Sequence, residues 1–332
     1  MKRLAILGGG GWGTALCSVL APRFEHVRMW VFEPDLAEEM RTTRENSVFL
    51  PGVKLPANVE ITNALPHTVD KAQIVLGVMP SHHARRVYDD LLPYLDERML
   101  FVSATKGIEN GTLLRMSQVI NDVVGNRFPP RVGVLSGPTF AREVASGEPA
   151  AIVIASHDIS LATAVQAAFS GPTLRLYTNT DPVGVEIGAS LKNVIAIAAG
   201  VCAGLGLGAN TMAALITRGL AEISRLAIAA GGRAQTLAGL AGLGDLVLTC
   251  NGELSRNRTV GFELGRGRKL AEILGGMRQV AEGVHTTYAA MELSQRLSVE
   301  LPITRQVHAI IKAGRDPKEA LKELMERTLK EE

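Results

Sequence analysis

The stretch LAILGGGGWGTALCSVL at residues 4–20 decides the fold that we predict for this chain of 332 residues. An apolar run of strand length is followed by a glycine turn and then by an apolar stretch of helical length. Gly8, Gly10 and Gly13 have the spacing G-x-G-x-x-G, in which the first glycine makes the tight turn. The second glycine admits a pyrophosphate, and the third lets the helix pack on the strand. Because a helix start also presents free N–H groups and the positive end of its dipole, the stretch predicts a dinucleotide-binding turn.

The next strand predicts which dinucleotide binds. Residues 27–32 form the second predicted strand, which ends at Glu33, twenty residues beyond Gly13. A carboxylate at this distance can accept hydrogen bonds from the ribose hydroxyls, and it would repel the 2′-phosphate of NADP. No Arg or Lys follows at once, since the chain continues Pro34-Asp35-Leu36. We therefore favour NAD as the cofactor, with NADP less favoured. The alternative is that Glu33 is a solvated carboxylate stabilised by a helix dipole.

Composition excludes several classes of protein. The chain has 46% hydrophobic residues and a net charge of +2, which is typical of a globular protein with a sizeable core and two domains. Near-neutral charge and only 4% aromatic residues provide no basic, aromatic surface, so we expect no nucleic-acid partner. Glu186, Lys192 and Asn193 interrupt the longest apolar segment, so we expect no membrane span.

The cysteines and histidines bear on compartment and metal binding. The three cysteines lie far apart without a C-x-x-C spacing, which suits a reducing compartment and argues against a thiolate metal site. His82 and His83 are adjacent, and the chain has no H-E-x-x-H pattern, so we expect no metal. The sequence enters the first predicted strand directly, which leaves no room for a signal peptide. We therefore expect a cytoplasmic protein.

The order of elements predicts the fold class. The first half alternates short apolar runs with helical patterns, which indicates a mostly parallel, doubly wound α/β sheet of the Rossmann type. The further predicted strands are residues 73–79, 99–104, 132–135, 150–155 and 174–177. Residues 46–58, rich in proline and glycine, are predicted to form a loop near the cofactor. After Pro182 the chain becomes rich in Ala and Leu, so we predict an NAD-binding domain over residues 1–182 and an all-helical substrate domain over residues 183–332. The charged tail, residues 315–332, is predicted to be a surface helix.

Lys192 is the strongest candidate for proton transfer. It lies with Asn193 in a predicted helix of small apolar residues, where Gly188 and Ala189 precede it and Ala196 follows it at helical spacing. Poor solvation of a lysine disfavours its charged form and lowers its pKa towards the range useful for acid catalysis. The alternative is a lysine whose stem packs on apolar residues while its ammonium reaches water.

Further polar groups follow predicted strands or start predicted helices. Lys106 and Gly107 follow the strand at residues 99–104, where a cation could orient a carbonyl or an anionic substrate, although loop lysines are often only solvated. Ser136-Gly137-Pro138-Thr139 forms either a polar nest or a helix cap. Asp245 adds a carboxylate to the helical half, and Arg256 suits bidentate recognition of a phosphate unless it is a surface residue.

Six motifs in register together resemble the family of NAD-dependent glycerol-3-phosphate dehydrogenases. They are residues 8–13 with Trp12, Ser103-Ala104-Thr105-Lys106-Gly107, residues 136–141, Leu191-Lys192-Asn193-Val194-Ile195-Ala196, Gly242-Leu243-Gly244-Asp245-Leu246 and Ser255-Arg256-Asn257. The resemblance covers nearly the whole chain. It implies reversible hydride transfer between NADH and dihydroxyacetone phosphate, giving sn-glycerol 3-phosphate for phospholipid synthesis. It also implies a cytoplasmic homodimer.

The resemblance also implies site residues. Lys192 corresponds to the proton donor and acceptor, with Asn193 beside it, and Lys106 to the lysine that touches both substrate and cofactor. The implied substrate-binding residues are Lys106, Gly137, Thr139, Lys192, Asp245, Ser255, Arg256 and Asn257. The implied cofactor-binding residues are Gly8, Gly10, Gly11, Trp12, Gly13, Phe32, Glu33, Lys106, Ala141, Arg256, Val280 and Glu282. A proton donor and cations near the substrate oxygen suit the alkoxide character that develops during hydride addition to a ketone.

Two departures from the family pattern bear on the cofactor. Bacterial members often carry serine at the position of Gly11 and a basic residue near Phe32 and Glu33 that helps them accept NADPH. Here the segments at residues 29–33 and 45–52 look more like the eukaryotic, NAD-using branch. Two other functions stay open at this point. One is a dehydrogenase of a ketone that carries a carboxylate instead of a phosphate, and the other is a redox sensor that binds dinucleotide without chemistry.

Overall fold

The first compact unit is built on a central sheet. The computed structural model describes residues 1–277 and 280–328. The strands are β1 Arg3–Leu7, β2 His26–Trp30, β3 Glu45–Asn46, β4 Leu50–Lys54, β5 Val59–Thr62, β6 Ile74–Gly77, β7 Leu100–Ser103, β8 Arg131–Ser136, β9 Ala150–Ala155 and β10 Leu174–Asn179. Eight of them form one sheet in the order β10-β9-β8-β7-β6-β1-β2-β5. All neighbours are parallel except β8 and β9, so the predicted mostly parallel sheet is confirmed.

Helices cover both faces of this sheet. They are α1 Gly11–Leu20, α2 Pro34–Thr43, α3 Leu65–Val69, α4 Ala84–Leu91, α5 Met116–Val124, α6 Ala141–Ala145 and α7 Ile159–Phe169, with single 3₁₀ turns at Ala21–Arg23, Ser81–His83 and Leu92–Tyr94. Alternate side chains of the strands enter two separate cores. Ile6 and Leu76 belong to one core, whereas Leu7 and Val75 belong to the other. Because both faces of the sheet are buried, the strands are apolar along their length and do not alternate apolar with polar residues.

The predicted loop at residues 46–58 is wrong in part. This region contains β4, which pairs antiparallel with β3 to form a separate two-stranded hairpin. The strand was not predicted because β4 contains a proline and a glycine, and both residue types are usually depleted in strands. β5, at residues 59–62, was also not predicted, although it pairs with β2 at the edge of the large sheet.

In the second compact unit, the regular elements that the structure describes are helices. Its elements are α9 Ala209–Ala229, α10 Ala234–Leu237, a π-helical turn Leu240–Gly244, α11 Asp245–Asn251, α12 Arg256–Gly265, α13 Leu270–Gly275, α14 Glu282–Arg296, α15 Pro302–Ala313 and α16 Pro317–Met325, together with most of α8 Pro182–Gly204. α16 lies within the predicted tail helix, whose residues 329–332 fall outside the described part of the chain.

The division between the units falls within α8. One unit comprises Met1–Lys106 and Leu114–Glu186, and the other comprises Gly107–Leu113 and Ile187–Glu332. The boundary that we predicted after residue 182 lies at the start of the same helix. By length and composition, α8 is the one helix in the described residues that could span a membrane, despite Glu186 and Lys192. However, 89% of its most apolar window is buried inside the protein, so it is used as a core helix.

Within the second unit, α8 and α12 approach closely along a seam of glycines. A Cβ added to Gly200 would lie 2.0 Å from the carbonyl oxygen of Arg258, and one added to Gly261 would lie 1.9 Å from that of Ile197. Gly204 and Gly265 have similar contacts with the opposite helix. Only glycine permits such an approach of two helix backbones. The seam therefore fixes the separation of α8, which carries Lys192, and α12, which begins at Arg256.

Candidate active site

The glycine turn lies where the sheet changes direction. β1 is flanked by β2 and β6, and ligands of doubly wound sheets bind at the carboxyl ends of strands at such a switch point. Gly8 has a φ of +129°, and a Cβ there would lie 2.7 Å from the carbonyl oxygen of Val78. A Cβ on Gly13 would lie 2.1 Å from the carbonyl oxygen of Gly8. The conformation of the turn therefore requires glycine at position 8, and the close packing of α1 on the turn requires glycine at position 13.

The middle of the turn has the features of an anion site. Gly10 precedes α1, and a Cβ added to it would meet no protein atom within 4 Å. No side chain caps the N-terminus of α1, which begins with Gly11 and Trp12. The open edge and the uncapped N–H groups fit a pyrophosphate, which would accept hydrogen bonds there. The indole Nε1 of Trp12 is buried and has no hydrogen-bond partner in the described structure.

Phe32 and Glu33 follow β2 on the same edge of the sheet. The ring of Phe32 is 64% exposed and stands edge-on to Trp30, with 5.9 Å between the ring centroids. An exposed aromatic ring beside a nucleotide turn offers a surface on which an adenine can pack. Glu33 is exposed and occupies the position before α2, but its side chain caps none of the helix N–H groups. Both remain predictions as cofactor contacts.

Lys106 is half-buried in the turn that follows β7. The preceding residue, Thr105, donates its hydroxyl to the carbonyl oxygen of Met79 at 3.0 Å, which ties this turn to the one after β6. Gly107, with a φ of +149°, then allows the backbone to turn away. The loop therefore places an ammonium group at the carboxyl end of the sheet, where an anionic substrate or a cofactor could reach it.

The loop after β8 carries Gly137, Thr139 and Ala141. Gly137 has a φ of +154°, and a Cβ there would lie 2.9 Å from the Cα of Ile152 in β9. The hydroxyl of Thr139 donates to the carbonyl oxygen of Gly137 at 3.2 Å, which closes the turn. Ala141 is the first residue of α6, which packs against α1. This loop is thus held near the helix that starts at the glycine turn.

Lys192 lies in the middle of α8 and is only 5% exposed. Its Nζ forms a buried ion pair with Oδ1 of Asp245 and donates to the hydroxyl of Thr249 at 2.9 Å. The Thr249 hydroxyl in turn donates to the carbonyl oxygen of Asp245 at 2.6 Å. The poorly solvated environment that we predicted for Lys192 is confirmed, and its ammonium contacts buried polar groups. The carboxylate partner stabilises the protonated ammonium.

Asp245 and Thr249 are brought to Lys192 by helix packing. A Cβ on Gly188 of α8 would lie 2.9 Å from the carbonyl oxygen of Ala241, so the turn before α11 lies against α8. Asp245 is the first residue of α11 and Thr249 follows one helical turn later. Asp245 was predicted from the sequence, whereas Thr249 was not. The spacing i, i+4 behind a candidate carboxylate is the signal that could have found it.

The start of α12 gathers the other predicted substrate residues. Ser255 caps this helix by accepting a hydrogen bond from the N–H of Arg258 at 3.3 Å. Arg256 is exposed, yet the protein atoms around it lower the pKa of its guanidinium while the carboxylate of Glu282 acts in the opposite direction. A guanidinium at a helix N-terminus is suited to binding a phosphate.

Asn257 links α12 to α14. Its Oδ1 accepts a hydrogen bond from the N–H of Gly283 at 2.9 Å. A Cβ on Gly283 would lie 2.6 Å from the carbonyl oxygen of Asn193, so the start of α14 also lies against α8. Val280 and Glu282, the predicted late cofactor contacts, are half-buried at the start of α14. The residues that we predicted in the helical half therefore share two neighbouring regions, around Lys192 and around the start of α12.

Comparisons with known proteins identify the family of the chain. A family model described as NAD-dependent glycerol-3-phosphate dehydrogenase N-terminus matches residues 3–162, and the corresponding C-terminus model matches residues 181–322. A glycerol-3-phosphate dehydrogenase (NAD(P)+) from Koribacter versatilis is 57% identical over 329 residues, which are 98% of each chain. One of the same name from Geobacter sulfurreducens is 51% identical over 331 residues, covering 100% of this chain and 99% of the relative.

Solved structures give the same result. The glycerol-3-phosphate dehydrogenase of Coxiella burnetii has a TM-score of 0.93 and 39% identity, covering 98% of this chain and 99% of that one. The enzyme from Saccharomyces cerevisiae has a TM-score of 0.82 and 28% identity over the same shares. Overall identity is thus higher to these bacterial relatives than to the yeast enzyme, while the likeness to the eukaryotic branch that we inferred from residues 29–33 and 45–52 stays a prediction.

Both halves of the chain match one family, and relatives aligned over nearly their whole length carry the same activity in their names. The protein is an oxidoreductase that uses NAD(P) and interconverts dihydroxyacetone phosphate and sn-glycerol 3-phosphate. The chain belongs to the family of NAD-dependent glycerol-3-phosphate dehydrogenases.

Proposed function

We propose that Lys192 is the general acid and base of this reaction. The observation that supports the proposal is its buried ammonium, paired with Asp245 and hydrogen-bonded to Thr249. An ammonium group in this position can donate a proton when the substrate carbonyl oxygen gains negative charge. Asn193, the next residue on the same helix, is proposed to help in orienting the substrate.

The reduction places a hydride on the carbonyl carbon of dihydroxyacetone phosphate and a proton on its oxygen. NADH, when bound, supplies the hydride and leaves as NAD⁺. Lys192 gives its proton to the oxygen, and the resulting amine regains a proton from solvent with the help of the Asp245 carboxylate. In the oxidation of sn-glycerol 3-phosphate, Lys192 accepts the hydroxyl proton instead. Lys106 is proposed to stabilise the negative charge of the substrate.

The start of α12 is proposed to bind the substrate phosphate. Arg256 supplies a guanidinium that can make two hydrogen bonds to phosphate oxygens, and the N-terminus of α12 supplies its dipole. Asn257 and Ser255 stand beside it, each holding backbone N–H groups in place. Gly137 and Thr139 are proposed to line the substrate from the loop after β8. A phosphate is favoured over a carboxylate because both a guanidinium and a helix N-terminus are provided.

Arg256→Ala should raise the KM for dihydroxyacetone phosphate at least tenfold, because a charge-assisted bidentate contact is lost. Inhibition by inorganic phosphate should weaken in the same variant, whereas the KM for NADH should change less. Steady-state kinetics with phosphate as a competitor measure all three. Arg266→Ala is the matched control, since Arg266 is exposed at the opposite end of α12. An unchanged KM in Arg256→Ala would exclude this phosphate site.

The glycine turn is proposed to bind NAD by its pyrophosphate. Gly8, Gly10, Gly11, Trp12 and Gly13 form the turn and the start of α1. Around them, Phe32 is proposed to pack on the adenine and Glu33 to accept hydrogen bonds from the ribose. Ala141, Arg256, Val280 and Glu282 are proposed as further cofactor contacts. The ribose contact makes NAD the preferred cofactor, with NADP as the poorer one.

Glu33 should determine this preference. The wild-type kcat/KM for NADH should exceed that for NADPH by about tenfold or more, since a carboxylate near the 2′-phosphate is repulsive. Glu33→Gln should narrow the ratio by improving the use of NADPH, as measured by initial rates with both cofactors. Asp35→Asn removes an exposed charge from the first turn of α2 and should leave the ratio unchanged. Equal wild-type values would refute the assignment of Glu33.

We further infer that the enzyme acts in the cytoplasm as a homodimer and supplies sn-glycerol 3-phosphate for phospholipid synthesis. Three separated free cysteines, all buried, agree with a reducing compartment. Size-exclusion chromatography with light scattering would test the dimer.

A further inference from the structure

We propose that Asn46 is a positioning residue that sets the shape of the dinucleotide-binding turn. Asn46 lies in β3, 37 residues from the turn, and its side chain is fully buried. Its Nδ2 donates to the carbonyl oxygen of Gly9 at 2.7 Å and to the hydroxyl of Thr14 at 2.8 Å. One amide group thus contacts the turn itself and the first part of α1. No motif assigned above to cofactor or substrate includes this residue.

The contact with Gly9 determines where the next N–H group points. The peptide bond between Gly9 and Gly10 is trans and planar, so its carbonyl and its N–H point in opposite directions. Asn46 holds the carbonyl from one side, which directs the N–H of Gly10 to the other side. Gly10 is also the glycine with an open edge, where a Cβ would meet no protein atom within 4 Å. The residue whose N–H Asn46 orients is therefore also the residue whose open edge is proposed to admit the pyrophosphate.

If the peptide between Gly9 and Gly10 could rotate freely, ordering it would reduce the free energy of dinucleotide binding. A glycine-rich turn samples many backbone conformations, and ordering it when a ligand arrives consumes binding free energy. Gly9 is already confined on another side, because a Cβ there would lie 2.8 Å from the side chain of Val31. Asn46 completes the restraint by fixing the peptide orientation. The turn is thus organised before the dinucleotide binds.

Asn46 is itself held rigidly. Its Oδ1 accepts a hydrogen bond from the N–H of Phe49 at 2.9 Å, so the orientation of the amide group is determined. The β3–β4 hairpin is closed by Glu45, which accepts from the N–H of Gly52 at 2.8 Å and pairs with Lys54 at 2.9 Å. β4 also packs against α1 and α6. The hairpin that the sequence presented as a loop is therefore a support for the glycine turn.

This inference rests on the proposed binding of NAD at the glycine turn. Its test is Asn46→Asp, which keeps the size of the side chain but removes both donated hydrogen bonds. The Kd for NADH, measured by NADH fluorescence, should rise about tenfold or more. The kcat at saturating NADH and the KM for dihydroxyacetone phosphate should each stay within about twofold, because the substrate residues are untouched. Asn46→Ala should also raise the Kd for NADH without adding a charge.

Two controls separate positioning from mere stability. Glu45→Ala removes the hydrogen bond and ion pair that close the same hairpin, so it should lower Tm while leaving the Kd for NADH near the wild-type value. Gly13→Ala should abolish NADH binding, because its Cβ would lie 2.1 Å from the carbonyl oxygen of Gly8. Wild-type affinity in both Asn46 variants, whatever their Tm, would overturn the role of Asn46. Wild-type affinity in Gly13→Ala would instead overturn the proposed cofactor site.

Discussion

Lys192→Met is expected to lower kcat by about a thousandfold, the middle of the range contributed by a general acid. Methionine has nearly the length of the lysine stem, but it has no proton to give to the substrate oxygen. The Kd for NADH should stay close to the wild-type value, since the proposed contacts of the dinucleotide turn do not include Lys192. Stopped-flow measurement of NADH oxidation with dihydroxyacetone phosphate, together with NADH titration, would check both parts. Near-normal turnover would exclude Lys192 as the proton donor.

The variant needs a stability control because Lys192 is half of a buried ion pair. Removing one partner leaves the Asp245 carboxylate buried without its cation, which costs about 3–5 kcal/mol. The double variant Lys192→Met with Asp245→Asn removes that charge and should recover much of the lost Tm. If the double variant is folded and has a far lower kcat than Asp245→Asn alone, the additional loss of activity reflects the missing proton donor. If recovery of Tm restored turnover, instability would explain the loss and the catalytic role would be wrong.

The sheet was predictable because its strands are buried on both faces. Residues 150–155 form a strand with the bounds that the sequence indicated, and residues 99–104 contain β7 with one residue fewer at each end. The sequence did not reveal that β8 and β9 run antiparallel, since strand direction depends on how the chain between them returns. The β3–β4 hairpin was also not predicted. Pro51 and Gly52 favour a loop locally, but pairing with β3 stabilises a strand in spite of this local preference.

The candidate site was predictable where a residue type has a distinctive chemical use. Examples are the glycines of the dinucleotide-binding turn, which have a fixed spacing, and Lys192, which lies among small apolar residues. Thr249 and Asn46 were missed because a threonine or an asparagine is common in helices and loops of every kind. Their importance comes from long-range contacts, 57 residues apart for Thr249 with Lys192 and 37 for Asn46 with Gly9. The spacing i, i+4 relates Thr249 to Asp245, but no local pattern relates Thr249 to Lys192 or Asn46 to Gly9, and the folded structure brings these pairs together.

The glycine seam between α8 and α12 gives the largest expected effect on stability outside the ion pair. Gly261→Ala would place a Cβ 1.9 Å from the carbonyl oxygen of Ile197, which is a backbone atom and cannot move independently of its helix. The two helices must therefore separate. Overpacking of this kind costs about 3 kcal/mol, of which about 1 kcal/mol is recovered because alanine favours the helix over glycine.

A net loss of about 2 kcal/mol should lower Tm by roughly 4–8 °C in a unit of this size. Separation of the helices should also move the start of α12, with Arg256 and Asn257, relative to Lys192 on α8. We therefore expect a higher KM for dihydroxyacetone phosphate and a lower kcat, with a smaller change in the Kd for NADH, because the glycine turn is not altered. Differential scanning calorimetry and steady-state kinetics would measure these effects. Gly275→Ala is the matched control, because Gly275 ends α13 and a Cβ there meets no atom within 4 Å. The Tm of Gly275→Ala should be equal to or above the wild-type Tm. A wild-type Tm in Gly261→Ala would show that the glycine seam does not set the separation of α8 and α12.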